Sequence, residues 1–201
     1  IAARVAGELP IEFALVAGDK AGAPALRNAE ARGIPTLALD PKGFAARREF
    51  DQALFARVAA SGAKLVVLAG FMRVLDGAVA EAWRGRMVNI HPSLLPKFRG
   101  LHTHRRVLAA GDAEHGASVH FVTPELDGGP VIAQARIEVR AGDDEETLAA
   151  RLLGQEHRLL VACVAAIARG RVELRGNAVH FDGEALAAPL RLQADGQLRR
   201  A

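Results

Sequence analysis

A chain of 201 residues, 50% of them hydrophobic and 24% charged, is long enough to bury a sizeable core in one globular unit. Its 26 basic and 23 acidic residues leave a net charge of only +3, the arginines are dispersed and 4% of residues are aromatic. That argues against a nucleic-acid partner, because such binders cluster their charge or interleave stacking rings. No apolar run approaches the ~20 residues of a membrane helix, and no segment has the pattern of a signal peptide. The lone Cys163 excludes an intrachain disulfide and fits a reducing cytoplasm.

Strand and helix signals alternate along the first half. "IEFALVAG" (11–18) reads as a buried strand, and "PALRNAEARG" (24–33) as a helix with Pro24 in its first turn and Gly33 at its stop. "TLAL" (36–39) is a short strand. "RREFDQALFARVAASG" (47–62) puts Phe50, Leu54, Phe55 and Val58 on one helical face. "KLVVLAG" (64–70) reads as a strand, "LDGAVAEAW" (75–83) as a weaker helix, "MVNIH" (87–91) as a buried strand and "HRRVLAAG" (104–111) as a short helix.

Beyond that point "ASVHFV" (117–122) and "PVIAQARIEV" (130–139) are strands joined by an Asp-Gly-Gly turn. A long helix is expected from Asp144 to Arg169, with Leu148, Leu152, Leu159, Cys163 and Ile167 facing the core, acidic residues at its start and Arg169-Gly170 at its end. "RVEL" and "AVHF" are short strands, and residues 186–201 read as a loose tail. The alternation predicts an α/β fold, an open and mostly parallel twisted sheet with helices on both faces, forming a single domain over 1–201. Ligands in such sheets bind beyond the carboxyl ends of the strands.

Asn89 and His91 fall there. Side chains two apart on a strand share a face, and Pro92 ends the strand at once, leaving His91 at its rim. An Asn amide can donate to an oxygen gaining negative charge, and a protonated His can give up a proton. Asp127, in "LDGG", would favour the charged form of that His, and the glycines supply unusual backbone angles that let the chain pass close to a ligand. One donor, one acid and one orienting carboxylate suit the tetrahedral intermediate of acyl transfer. Taken singly, each has a plainer reading: a strand-end His is more often a hydrogen-bonded structural residue, and Asp-Gly is a common turn dipeptide. His102 and His104 bring no cysteine or HExxH spacing with them, so no metal is expected. Ser93 lacks the GxSxG elbow, and neither GxGxxG nor a Walker loop is present.

"NIHPSLLPKFRGLHTHRRVLAAGDAEHGASVHFVTPELDGGPVIAQ" (89–134), with "VVLAGFMRVL" (66–75) and "QEH" (155–157), resembles the signature region of the phosphoribosylglycinamide formyltransferases, the folate-dependent transformylases of purine synthesis. The resemblance implies transfer of a formyl group from 10-formyltetrahydrofolate to the amine of glycinamide ribonucleotide. It implies His91 as proton donor, Asn89 on the formyl oxygen, and Asp127 raising the pKa of His91. The folate pocket it implies comprises Arg47, Met72, Arg73, Val74, Leu75, Asn89, Thr123, Pro124, Glu125, Leu126 and Asp127. The nucleotide would be met by Leu153, Gly154, Gln155 and Glu156.

Methionyl-tRNA formyltransferases resemble the "HPSLLPKFRG" stretch but carry a tRNA-binding domain for which this chain has no room. Formyltetrahydrofolate hydrolases share the donor and send the formyl group to water. "GLHTH" and "SVHFVTPELDGG" favour the glycinamide enzymes, and a non-catalytic folate- or nucleotide-binding module is the remaining alternative. Members of the resembled family begin with a strand and a Gly-Ser-Asn phosphate loop, which would precede Ile1. A monomer or homodimer with small-molecule substrates is the expected assembly.

Overall fold

The computed structural model describes residues 1–201. Its first half holds α1 (Ala2–Val5), β1 (Val16–Gly18), α2 (Pro24–Glu30), β2 (Thr36–Ala38), α3 (Arg47–Ala60), β3 (Val66–Leu68), α4 (Gly77–Ala82), β4 (Met87–His91) and α5 (Thr103–Ala110). The second half holds β5 (Glu114–Phe121), β6 (Val131–Glu138), α6 (Glu145–Ala168), β7 (Val172–Arg175), β8 (Ala178–Phe181), β9 (Glu184–Ala185), β10 (Leu190–Leu192) and β11 (Leu198–Arg199). No helix is long and apolar enough to cross a membrane.

The main sheet has six strands in the order β11-β10-β6-β5-β4-β3. β3 and β4 are parallel, as are β6 and β10, while β5 is antiparallel to both its neighbours. β3, β4, β6 and β10 therefore point the same way, and only β5 and β11 oppose them. Successive residues of β4 serve opposite faces, as a pleated strand requires. Val88 joins the core built by α6 with Ile132, Leu152, Leu159 and Cys163, whereas Met87 joins a second core with Phe50, Phe55, Val79 and Trp83 of α3, α4 and its end. Helices thus cover both faces. Burial pushes the Cys163 thiol well up, which fits a small hydrophobe inside the α6 core.

Helix α6 begins where the acidic run predicts. Asp144 accepts from the Thr147 amide at 2.8 Å, and the Thr147 hydroxyl accepts from the Asp144 amide at 3.0 Å, a reciprocal capping box.

Two expectations need correction. The segment 11–18 pairs only over Val16–Gly18, and its residues are half-buried or exposed. The reason is topological: β1 has a single neighbour, β2, in a separate two-stranded sheet, so it lacks the second flank that buries a central strand. Residues 186–201 are not a loose tail. β10 runs parallel to β6 with Leu190 fully buried, β11 folds back on it, and Arg158 of α6 donates to the carbonyls of Gln193 and Ala194. Leu186, Leu190, Leu192 and Leu198 are the apolar residues that dock this piece, too few and too interspersed with arginines to read as strands in isolation.

Candidate active site

β4 pairs antiparallel with β5 so that Asn89 lies opposite His120 and His91 opposite Ser118. Directly opposed residues of an antiparallel pair share a face. The Asn89 amide nitrogen accordingly lies 3.2 Å from His120 Nε2, and His120 Nδ1 lies 2.9 Å from the Phe121 carbonyl. A carbonyl only accepts, so Nδ1 carries the proton and Nε2 accepts from Asn89. Burial, only partly offset by that carbonyl and by Asp127, holds the His120 pKa below its ordinary value and keeps the ring neutral at neutral pH. A register shift between Val119 and His120, with Ile132 as the extra residue on β6, re-aims the strand at this point.

Asp127 joins from the β5–β6 connection. One oxygen accepts from the Gly100 amide at 2.9 Å and stands 3.5 Å from His91 Nδ1; the other is 3.7 Å from His120 Nε2. His91 is buried, and its Nε2 donates to the Phe98 carbonyl at 3.0 Å. Both nitrogens of His91 thus face oxygen acceptors. The sequence-predicted trio is brought together, with His91 and Asp127 in direct proximity and Asn89 linked through His120.

The glycines after Asp127 act differently from expectation. It is Asp127 that takes the left-handed backbone, at φ 47°, while Gly128 and Gly129 are not in that region. The glycines supply space instead. A Cβ on Gly129 would sit 1.8 Å from the Phe121 carbonyl oxygen, and one on Gly128 would sit 2.3 Å from the Glu125 carboxyl group. The turn is pressed against the end of β5, and that contact aims Asp127 back over the sheet.

Asn89, His120 and Asp127 open into a narrow cleft of about 60 Å³, also lined by Arg73, Val74, Leu75, Thr123, Pro124, Glu125 and Leu126. Leu68, Phe71 and Val122 complete it. Met72 is 76% exposed outside the lining, and Arg47, the first residue of α3, is exposed and also outside it. His91 does not line the cleft either. Leu153, Gly154, Gln155 and Glu156 lie on α6 and none of them faces this cleft; burial raises the Glu156 carboxyl above its usual range.

His91, His102 and His104 do not gather into a group that could hold a metal ion. His104 instead bonds His115 at 2.9 Å.

Sequence reasoning missed His120, Phe98 and Gly100. The first had a signal: placing "SVHF" antiparallel to "MVNIH" makes a cross-strand Asn-His pair a natural register. The other two act through backbone atoms, which leave no residue-type signature.

A profile of the formyl transferase family matches residues 2–164. The chain belongs to the formyl transferase family. Among the relatives of this formyl transferase is phosphoribosylglycinamide formyltransferase of Escherichia coli (strain K12), 47% identical over 171 residues, which span 85% of this chain and 81% of that protein. The trifunctional purine biosynthetic protein adenosine-3 of Gallus gallus is 44% identical over 81% of this chain, a stretch that is 16% of its own length. Among solved structures, phosphoribosylglycinamide formyltransferase from Coxiella burnetii superposes with a TM-score of 0.87 at 42% identity, covering 92% of this chain and 88% of that one.

Proposed function

We propose that this formyl transferase is a phosphoribosylglycinamide formyltransferase of de novo purine biosynthesis. It moves the formyl group of 10-formyltetrahydrofolate to the amine of glycinamide ribonucleotide through a tetrahedral intermediate. The observation that carries the reading is the convergence of Asn89, His91 and Asp127 at the carboxyl end of β4, in a chain whose family performs this class of transfer.

The substrate amine attacks the formyl carbon, and the carbonyl oxygen gains negative charge. Because His120 Nε2 takes one N–H of Asn89, the amide is oriented with its second N–H free for that oxygen. Collapse of the intermediate breaks the bond from carbon to the folate nitrogen, and His91 supplies the proton that nitrogen needs. The attacking amine gives up the proton that restores the acid. Asp127 faces His91 Nδ1 and steadies the cationic ring. Before the donor binds, the Phe98 carbonyl holds His91 Nε2 and so fixes the angle of the ring; the folate nitrogen takes that carbonyl's place as the acceptor of the Nε2 proton.

The pterin of the folate, flat and hydrogen-bonding along one edge, suits the slot between Arg73–Leu75 and Thr123–Asp127. At about 60 Å³ the slot must widen for a fused ring, and the exposed Val74 and Leu126 that line it are the side chains free to move. The nucleotide is assigned to Leu153–Glu156 of α6. A single buried cysteine fits a reducing cytoplasm.

The test is release of tetrahydrofolate from 10-formyltetrahydrofolate with and without glycinamide ribonucleotide. Nucleotide-dependent release with formylated product is the expected result. Release that ignores the nucleotide would make the chain a hydrolase, and no release would make it a binding module. Replacing Asp127→Asn should displace the acidic limb of the pH–rate profile, and an unmoved limb removes Asp127 from its role.

A further inference from the structure

Gln134 is a buried amide in the middle of β6, 8% exposed, on the sheet face opposite α6 and outside the cleft. It borders a separate cavity of about 400 Å³, together with Leu94, Leu95 and Phe98. Burying an amide is unfavourable unless its hydrogen bonds are made. Its Nε2 donates to the Leu95 carbonyl at 2.9 Å and to Ser118 Oγ at 3.0 Å. Ser118 Oγ in turn accepts from the Leu95 amide at 3.0 Å and donates to the Ser93 carbonyl at 2.7 Å. Ser93 Oγ then donates to the Lys97 carbonyl at 2.7 Å.

These bonds pin the segment that follows His91 onto β5 and β6 at Ser93 and Leu95, and Ser93 ties Lys97 to it. The seat is tight. A Cβ on Gly116 would lie 2.1 Å from the Ala135 carbonyl oxygen and 2.5 Å from Leu94 Cδ2, so the segment rests on β5 with no room for a side chain between. The segment leads directly into Phe98, whose backbone is left-handed at φ 55°, a costly choice for a bulky residue that persists only where neighbours enforce it. The enforced turn is what presents the Phe98 carbonyl to His91 Nε2.

We infer that Gln134 is a positioning residue for the reaction: by clamping Leu95 and Ser118 it fixes the loop whose Phe98 carbonyl holds the ring of His91. The inference rests on His91 being the acid of the reaction proposed above. Gln134 touches neither cleft nor reacting atoms; it acts on the angle and protonation geometry of a ring two contacts away. Gln134 is uncharged and does not touch His91, so a change in the ring's behaviour on replacing it by an uncharged side chain is transmitted through the loop.

Gln134→Met keeps length and volume while removing both donors, and Gln134→Leu removes them with a shorter apolar side chain. Both should lower kcat roughly ten-fold, the scale of loosening the one hydrogen bond between His91 and Phe98, with KM for folate and nucleotide within about two-fold. In the substrate-free protein, nitrogen NMR of the histidine ring should show His91 Nε2 no longer held as a fixed donor. Gln134→Asn, which keeps the amide one carbon short, should fall between and serves if the others do not fold. Wild-type kcat in a folded Gln134→Met protein overturns the inference. So does an unchanged His91 signal beside a lowered melting temperature, which would make Gln134 a packing residue only. If the wild type itself fails to formylate the nucleotide, the proposed function falls, while the NMR signal still decides whether Gln134 governs His91.

Discussion

The two faces of β5 and β6 are made from alternate residues of the same strands, yet they do different work. Ala117, Val119, Phe121, Ala133 and Ala135 meet Leu152, Leu159 and Cys163 of α6, an apolar contact without a hydrogen bond to misplace. Ser118, His120 and Gln134 face the other way and are just as inaccessible, but each is committed to a directional bond. The apolar face derives its stability from area, and area tolerates small shifts. The polar face derives geometry from bonds that tolerate none. Placing both on one strand pair lets the first anchor the second.

That division of labour predicts separable failures. The largest effect is on the apolar side: Leu159→Ala should cost about 2–5 kcal/mol of stability, because the fully buried site cannot collapse around the void, while kcat per folded molecule stays at the wild-type value. Denaturant melts beside active-site-normalised kinetics check it, and a parallel fall in kcat would break the distinction. On the polar side the converse holds. His91→Ala should lower turnover by on the order of 10²-fold or more with folate affinity nearly unchanged; normal turnover would show that the buried ring is structural.

A smaller effect is read by pH. Burial, reinforced by the neighbouring His104 ring, pushes the His115 pKa from 6.5 down to about 4, and burial lowers His104 and His120 as well. The unfolded chain then binds more protons than the folded one between these values. Stability is complete above pH 6.5 and drains as the pH falls toward about 4. Urea midpoints should therefore drop between about pH 7 and about pH 5, and less so in His115→Leu; a pH-independent midpoint would contradict this account.

The smallest effect concerns α6. Gly154 has nothing within 4 Å of its Cβ position, so Gly154→Ala should stabilise the helix by about 0.5–1 kcal/mol. A raised nucleotide KM in that more stable variant would mark Gly154 as a point of close substrate approach, and an unchanged KM would withdraw it from the nucleotide site.

Much of this was legible in the sequence. Four of the five residues expected to line the α6 core, Leu148, Leu152, Leu159 and Cys163, are completely buried, and Ile167 packs against them. The 3.6-residue period carries that information locally. The Asn89, His91 and Asp127 convergence was legible because two strand ends held complementary chemistry. What was not legible depends on long-range pairing or on backbone atoms: β10 becomes a strand only because β6 offers an edge, β1 stays half-exposed because its other edge has no neighbour, and the Phe98 carbonyl and Gly100 amide have no side chain to announce them. Residues 118, 120 and 134 would be assigned to solvent by simple alternation, since hydropathy cannot tell water from a buried loop that bonds as water would.

The docking of β10 has a consequence for the birth of the molecule. Its partner Ala133 is made well before Leu190, with the whole of α6 and the β7–β9 meander intervening. On a ribosome adding ~5–20 residues per second, β6 therefore shows an open, hydrogen-bond-hungry edge for seconds before its neighbour emerges. Neighbouring chains on a crowded polysome could pair with that edge in register. Slow translation of this stretch, or its release before residue 190 is added, should thus appear as aggregation of nascent chains rather than as an inactive soluble protein.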